Sequence, residues 1–276
     1  MAETLGLIAG SGRLPFEVAE AARESGLELA VLAIEANTDP AIESFATRGF
    51  ASIAVGELQR LIDFFKQSGP GEVILAGAVA KLDGLKDLAS LRLDARALGL
   101  LARLEHRGDD ALLRAIAGEL ESEGLQVVDS TKYLGARMTE AGPVAGGPVD
   151  ERVTTDLRLG LRVAKALGRH DVGQSAAVRE GTVLAVEAIE GTDEMMRRAA
   201  GLAGPGAVVV KAAKPGQDLR FDVPVIGRST VELANDLGVV AIGLEAGSTL
   251  ILEREPTCAA AERAGVAIVG LRPESA

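Results

Sequence analysis

Two rhythms of apolar and polar positions alternate along the chain. Short unbroken apolar runs read as buried strands, and longer stretches with apolar residues three and four apart read as helices packed on them. Residues 5–9 (LGLIA) open the chain as a strand. The turn Gly10-Ser11-Gly12-Arg13-Leu14-Pro15 leads into a helix from Phe16 to about Ser25, with Phe16, Ala19, Ala21 and Ala22 on one stripe. Pro15 suits the first helical position, where its missing N–H costs nothing. Leu29–Ile34 reads as a second strand, ending at Glu35, and Ile53–Val55 as a short third. Glu57–Gln67 is an amphipathic helix with Leu58, Leu61, Ile62 and Phe65 on one face, broken by Gly69-Pro70-Gly71. Glu72–Ala76 is a buried strand that opens at Gly77 into a loop with Lys81. Residues 94–106 and 109–122 are two helices split at Gly108, with Asp109 as N-cap of the second. Asp110 beside it is either functional or a helix-start charge. Leu125–Val128 closes this half as a strand.

From Thr131 to Pro148 the pattern dissolves into glycine and proline, which predicts an irregular linker with a boundary near residue 145. Asp150–Leu167 is a helix capped by Gly168. Ala176–Arg179 and Thr182–Glu187 predict a hairpin turning at Glu180-Gly181, and Thr192 caps a helix to Ala200. A strand over 207–210 precedes the irregular segment 211–228. Ser229 or Thr230 caps a helix to Leu237. Val239–Leu244 and Thr249–Leu252 predict a second hairpin around Gly247. The helix Pro256–Ala264 and the strand Val266–Val269 end the pattern. The fold class expected is α/β in two domains. Residues 1–130 form a Rossmann-like parallel-sheet domain, 131–148 a linker, and 149–276 an α+β domain with a mixed sheet.

Composition narrows the function classes. The chain has 276 residues, 47% of them hydrophobic and 3% aromatic, so aliphatic side chains must build its cores. One cysteine, Cys258, excludes an internal disulfide and fits a reducing compartment. The N-terminal stretch carries Glu3 and no basic region, unlike a signal peptide. No apolar run reaches the ~20 residues that span a bilayer. A cytoplasmic location is therefore expected. The formal charge of −11, from 29 Lys+Arg against 40 Asp+Glu, opposes nucleic-acid binding. Two histidines and one cysteine leave little for a zinc site, so any metal is oxygen-ligated, Mg²⁺ or a similar hard cation.

Against that acidic background the segment Lys211–Arg228 (KAAKPGQDLRFDVPVIGR) is a basic island. Lys211, Lys214, Arg220 and Arg228 stand with Asp218 and Asp222 in a stretch broken by Pro215-Gly216. Asp222 precedes Pro224 by two residues, which predicts extended backbone there. Cations beside a carboxylate after a strand suit phosphate-ester chemistry; a solvated surface loop is the plainer alternative. The Gly10–Pro15 turn and the loop after Ala76 both follow strands of a parallel sheet, so they should lie side by side and face one crevice. Glu35 would suit a ribose, but Gly10–Pro15 departs from the dinucleotide pattern G-x-G-x-x-G, since Pro15 stands where the third glycine belongs.

Several stretches together resemble one family, the LpxI-type UDP-2,3-diacylglucosamine pyrophosphatases of lipid A biosynthesis. They are LGLIAGSGRLP at 5–15, RGDDALLR at 107–114, DVGQSAAV at 171–178 and VLAVEAIEGTDEMMRR at 183–198. KAAKPGQDLRFDVPVIG at 211–227 and LEAG at 244–247 complete the set. The loop Ala80-Lys81-Leu82-Asp83 departs from the family pattern. The resemblance implies a hydrolase that uses water and a divalent cation, Mg²⁺ or similar, to split the pyrophosphate of UDP-2,3-diacylglucosamine. The products would be UMP and 2,3-diacylglucosamine 1-phosphate (lipid X). It implies that Asp222, in the D-x-P-x-I-G stretch, is the essential aspartate, as general base or metal ligand. Nearby cations would keep Asp222 ionised. Glu187 and Asp193 are further metal candidates, with helix-start or hairpin charges as the alternative for each.

Substrate contacts are expected from Gly10, Ser11, Gly12, Leu14 and Pro15 in the first turn, and from Gly77 and Val79 in the second. Gln174, Thr192, Lys211 and Lys214 would add contacts from the second half. The expected partner is the lipid-linked nucleotide sugar, with no nucleic acid, peripheral contact with the inner membrane, and a homodimer as the assembly. A nucleotide-binding oxidoreductase of NAD type, or a non-catalytic binding protein, is the alternative.

Overall fold

The computed structural model describes residues 3–79, 92–104 and 109–272, with the side chains of Asp109 and Asp110 left aside. Expectations for Lys81, Asp83, the end of the 94–106 helix, Gly108 and the Asp110 side chain lie outside what is described. The chain divides into two compact units. The first comprises residues 1–135 with Leu219–Phe221, and the second 136–218 with 222–276.

In the first unit, β1 (Thr4–Ala9), β2 (Glu28–Ile34), β3 (Gly49–Ile53), β4 (Glu72–Ala76) and β5 (Gln126–Val127) form one sheet in the order β3-β2-β1-β4-β5. Every pairing is parallel. β1 lies at the centre, buried at all six positions, as its unbroken apolar run requires. Helices α1 (Leu14–Glu24), α2 (Leu58–Ser68), α3 (Ala95–Arg103) and α4 (Asp109–Ser122) connect the strands. α2 turns Leu58, Leu61, Ile62 and Phe65 inward, the face that the sequence marks. Phe65 is wholly buried against Gly6 of β1, where a Cβ would stand 2.9 Å from its ring. Three details differ from the sequence pattern. β3 lies earlier than Ile53–Val55, because an edge strand with only Ile53 fully buried has no apolar run to announce it. A 3-10 helix at Pro40–Phe45, capped by Asp39, has no apolar periodicity either. α1 starts at Leu14, so Pro15 is its second residue rather than its first.

In the second unit, β6 (Gly142–Ala145), β7 (Ser175–Arg179), β8 (Thr182–Val186), β9 (Val208–Lys211), β11 (Ala241–Glu245) and β13 (Ala267–Leu271) form a mixed sheet in the order β6-β13-β11-β9-β7-β8. β9, β11 and β13 are mutually parallel; β6, β7 and β8 join antiparallel. β10 (Val225–Ile226) and β12 (Leu250–Ile251) make a separate parallel pair. α5 (Glu151–Gly168) covers one face, packing Leu157, Leu161 and Ala164 on Val178, Val208 and Val210. α6 (Thr192–Ala203), α7 (Arg228–Asp236) and α8 (Arg254–Ala264) cover the other, where Met195, Met196, Val231 and Ala261 meet Val209, Ile242 and Ile268. Both faces of β9 are therefore core, which is why its valines run without alternation.

Here the structure corrects the sequence pattern in several places. The expected hairpin over 239–252 does not form. β11 has parallel neighbours on both edges, so neither edge is left for β12, and the chain leaves the sheet at Glu245 to pair β12 with β10. The span 131–148 is not irregular throughout: Gly135–Arg137 is a 3-10 turn, and β6 is an edge strand of the sheet despite Pro143. α6 is capped by Gly191, not Thr192, and α7 starts at Arg228 behind Gly227, before Ser229 and Thr230. Gly168 is the last residue of α5 rather than a left-handed cap. It is needed for closeness: a Cβ there would lie 3.0 Å from Lys214 Cα and 3.0 Å from Pro215 Cδ.

Candidate functional site

The first unit contributes two loops at the carboxyl ends of β1 and β4. The N–H of Gly10 donates to Ala76 O (2.8 Å), and that of Ser11 to Ala78 O (2.6 Å). Ala78 N–H returns a bond to Ser11 O at 3.1 Å, and the Ser11 hydroxyl donates to Ala78 O at 2.8 Å. A Cβ on Gly10 would stand 2.6 Å from Ala78 O, and one on Gly77 2.5 Å from Ser11 O. Gly77 also has φ of 88°, which glycine alone adopts without strain. The loops are thus zipped together, as their position after adjacent strands requires. The N–H groups of Gly10 and Ser11 serve this zipper rather than standing ready for a phosphate. Gly12 (φ 87°), Leu14 and Pro15 carry the turn into α1, and Val79 is exposed at the end of the second loop. Glu35, the residue suited to a ribose, pairs instead with Arg92.

The second unit gathers polar groups around the end of β9. A cavity of about 410 Å³ is lined by Glu187, Glu190, Gly191, Thr192, Asp193, Lys211 and Thr230. Lys211, the last residue of β9, donates its ammonium to Thr192 Oγ1 at 3.1 Å. Thr192 in turn donates to Glu187 Oε1 at 3.1 Å, and its oxygen lies 3.3 Å from Ser175 Oγ. Glu187 is 8% exposed, and its Oε2 has no hydrogen-bond partner among the described residues. The buried Oε1 of Gln174 is likewise without one. Lys211 as a whole residue is half-buried, but its amine is enclosed. Desolvation lowers its pKa from the ordinary lysine value, opposed by the charges of Glu187, Asp222 and Asp193.

The four cations of 211–228 therefore have different duties. Lys214 pairs with Asp171 (2.5 Å), Arg220 with Glu121 (3.0 Å) and Arg228 with Glu232 (2.6 Å). Lys211, among the described residues, has no carboxylate within ion-pair distance. Asp222 accepts from Gln217 Nε2 at 2.6 Å, and its N–H donates to Asp218 O at 3.3 Å. It closes a turn over 219–221, ahead of β10. Of the expected metal ligands, Glu187 and Asp193 line the cavity with Lys211 and Asp222 does not, though the charges of all three act on the Lys211 amine. Among the described residues no three carboxylate, histidine or cysteine side chains gather closely enough to cage a metal.

Chemically, three carboxylates and one amine make a pocket that repels a bare pyrophosphate. Such a lining could hold a magnesium ion only through waters and phosphate oxygens, a common pattern for that ion. In that lining the unpartnered Glu187 Oε2 is the group suited to hold such an ion or its waters. Ser175, Asp171 and Gln217 take part without having been singled out from sequence. Ser175 and Asp171 fall inside the DVGQSAAV stretch and Gln217 inside the KPGQD stretch, which was the available signal.

Residues 4–136 match the LpxI N-terminal domain, and residues 140–269 the LpxI C-terminal domain. The UDP-2,3-diacylglucosamine pyrophosphatase LpxI of Caulobacter vibrioides is 37% identical over 284 residues, covering 98% of each chain. Likeness to solved structures is slight. The biotin carboxylase domain of the 2-oxoglutarate carboxylase from Hydrogenobacter thermophilus gives a TM-score of 0.28 at 13% identity, over 74% of this chain and 42% of that one. The N5-carboxyaminoimidazole synthetase of Staphylococcus aureus gives 0.23 at 15%, over 76% and 47%.

Proposed function

The chain belongs to the LpxI family, and from that premise we propose that it hydrolyses the pyrophosphate of UDP-2,3-diacylglucosamine to UMP and 2,3-diacylglucosamine 1-phosphate. The observation that carries the reading is the end-to-end similarity to a pyrophosphatase of that specificity. The cavity at the end of β9 supports it, because its one enclosed amine is held by a neutral hydroxyl rather than a carboxylate. That leaves the charge of Lys211 for a phosphate.

Water attacks the sugar-side phosphorus. A new P–O bond forms there, the bridging P–O bond breaks, and UMP leaves with the bridging oxygen. Asp222 accepts the proton of the attacking water, and Gln217 orients its carboxylate. Lys211 stabilises charge on the phosphoryl oxygens, and Thr192 fixes the amine. Mg²⁺, when bound, supplies Lewis-acid charge to the same oxygens. Lys214, held by Asp171, is a secondary phosphate contact. In the first unit, Gly10 and Ser11 hold the shape of the two loops that carry Gly12, Leu14, Pro15, Gly77 and Val79.

The enzyme acts as a cytoplasmic homodimer with peripheral contact to the inner membrane, a setting that fits a substrate with two acyl chains. Among the described residues no helix is long and apolar enough to cross a membrane. Ile189, next to the cavity-lining Glu190, is 91% exposed and suits such a surface. Hydrolysis in ¹⁸O-water tests the chemistry. The label is expected in 2,3-diacylglucosamine 1-phosphate and absent from UMP; label in UMP would place attack on the other phosphorus.

A further inference from the structure

Lys165 and Glu245 form a partly buried ion pair, with the glutamate buried and the lysine half-buried, that the chemistry above does not use. The Lys165 ammonium donates to Glu245 Oε1 (2.7 Å) and Oε2 (3.0 Å), and also to Ala213 O (2.9 Å). Glu245, 4% exposed at the end of β11, also accepts from Ala213 N–H at 2.9 Å. Both polar backbone groups of Ala213 are thus held by one charge pair. Ala212 N–H is fixed too, on Gln174 O at 2.9 Å. One helical turn beyond Lys165, Gly168 lets the backbone of Lys214 and Pro215 lie directly on α5. The ion pair and the glycine are separate devices from two elements, and both act on the same three residues, Ala213–Pro215. Those residues lie between Lys211 and the turn that carries Gln217 and Asp222.

An ion pair with its carboxylate buried is a poor way to gain stability, since an apolar pair of similar volume often does as well or better. What the pair offers here is direction: it grips the donor and the acceptor of one residue, in the two peptide groups that flank its Cα, which apolar side chains cannot do. We propose that Lys165, Gly168 and Glu245 are positioning residues, forming a seat that fixes the backbone between Lys211 and Asp222. They place the amine and the carboxylate for the reaction without touching substrate. The inference rests on the hydrolase reading for its kinetic consequence, and on the seat's geometry for its effect on the backbone.

The double variant Lys165→Met/Glu245→Met removes both charges and keeps the volume. It is compared with wild type by far-UV circular dichroism, kcat and KM on UDP-2,3-diacylglucosamine, and hydrogen–deuterium exchange. Gly168→Ala, which obliges Lys214 to shift by a few tenths of an ångström, is the second variant. Misplacement on the ångström scale can cost about 100-fold in rate. The expected result is a folded double variant with kcat down at least about tenfold, KM within about threefold, and faster exchange confined to 212–222. Gly168→Ala should lose kcat by about three- to tenfold. Glu245→Gln, which keeps an acceptor for Ala213 N–H, should recover part of the loss.

Wild-type kcat and unchanged exchange at 212–222 in either folded variant would overturn the proposal. Should the double variant not fold, Gly168→Ala decides by the same readouts. Should wild type itself release no UMP, the hydrolase reading fails, and the exchange measurement alone decides whether the seat exists.

Discussion

Lys211 is the residue whose surroundings most constrain the account. Its amine is enclosed, hydrogen-bonded to a neutral hydroxyl, and faced by three carboxylates that belong to different parts of the second unit. Desolvation prevails over those carboxylates and holds its pKa below the ordinary value of 10.5. The linkage has a definite sign. Between the lowered folded value and the ordinary one, the unfolded chain binds more protons than the folded chain, so Lys211 makes stability rise with pH through that window. Below the window, where both states are protonated, the full cost of charging the enclosed amine is present. Lys211→Met should remove this rise, so the stability difference between variant and wild type, measured by urea unfolding across alkaline pH, should change over that interval. A pH-independent difference would mean that the amine is solvated like any surface lysine. The residue's position after a valine run marked it in the sequence as the end of a strand. Its enclosure was not legible there, because it depends on Thr192, Glu187 and Ser175 from other elements.

Elements defined by unbroken apolar runs were readable from the sequence, and those defined by partners were not. β1, β2, β4 and β9 are buried on both faces and announce themselves; β3, β6 and β10 have few buried positions and gain their identity from a neighbour's free edge. The false hairpin over 239–252 has the same origin. Two apolar runs around a glycine look alike whether they pair with each other or with separate strands, and only the parallel neighbours of β11 decide the matter. The glycine-rich turns were legible as a meeting of two loops, yet their backbone bonds turned out to serve one another. That makes a checkable claim about the pair of loops. Gly10→Ala places a Cβ 2.6 Å from Ala78 O, a backbone atom that cannot swing aside. It should destabilise the chain by about 1–3 kcal/mol, as overpacking does, with the loss read from urea unfolding. A change below about 0.5 kcal/mol, the range of ordinary surface substitutions, would show that the zipper yields freely.

At the scale of the whole molecule, the chain is two α/β units, one parallel-sheeted and one mixed, and both LpxI domains are matched in order along it. The fold class was accessible from sequence because alternating runs and periodic stretches specify layers. Of the candidate site, the sequence displayed Lys211 and Asp222 as charges eleven positions apart in one irregular segment, and the charge of Asp222 opposes the desolvation that lowers the Lys211 pKa. The seat under that segment was hidden, because Lys165 and Glu245 stand 80 residues apart and neither breaks the pattern of its own element. What the intact molecule should do is release UMP and 2,3-diacylglucosamine 1-phosphate in equal amounts, by way of Asp222. The most direct measurement is turnover of UDP-2,3-diacylglucosamine by the full chain and by Asp222→Asn, with substrate affinity and circular dichroism recorded on both. The account predicts UMP release by wild type, a folded variant with kcat lower by roughly 10²–10⁴-fold, and affinity retained or tightened as one negative charge leaves the phosphate site. A folded Asp222→Asn chain that turns over within about threefold of wild type would contradict it.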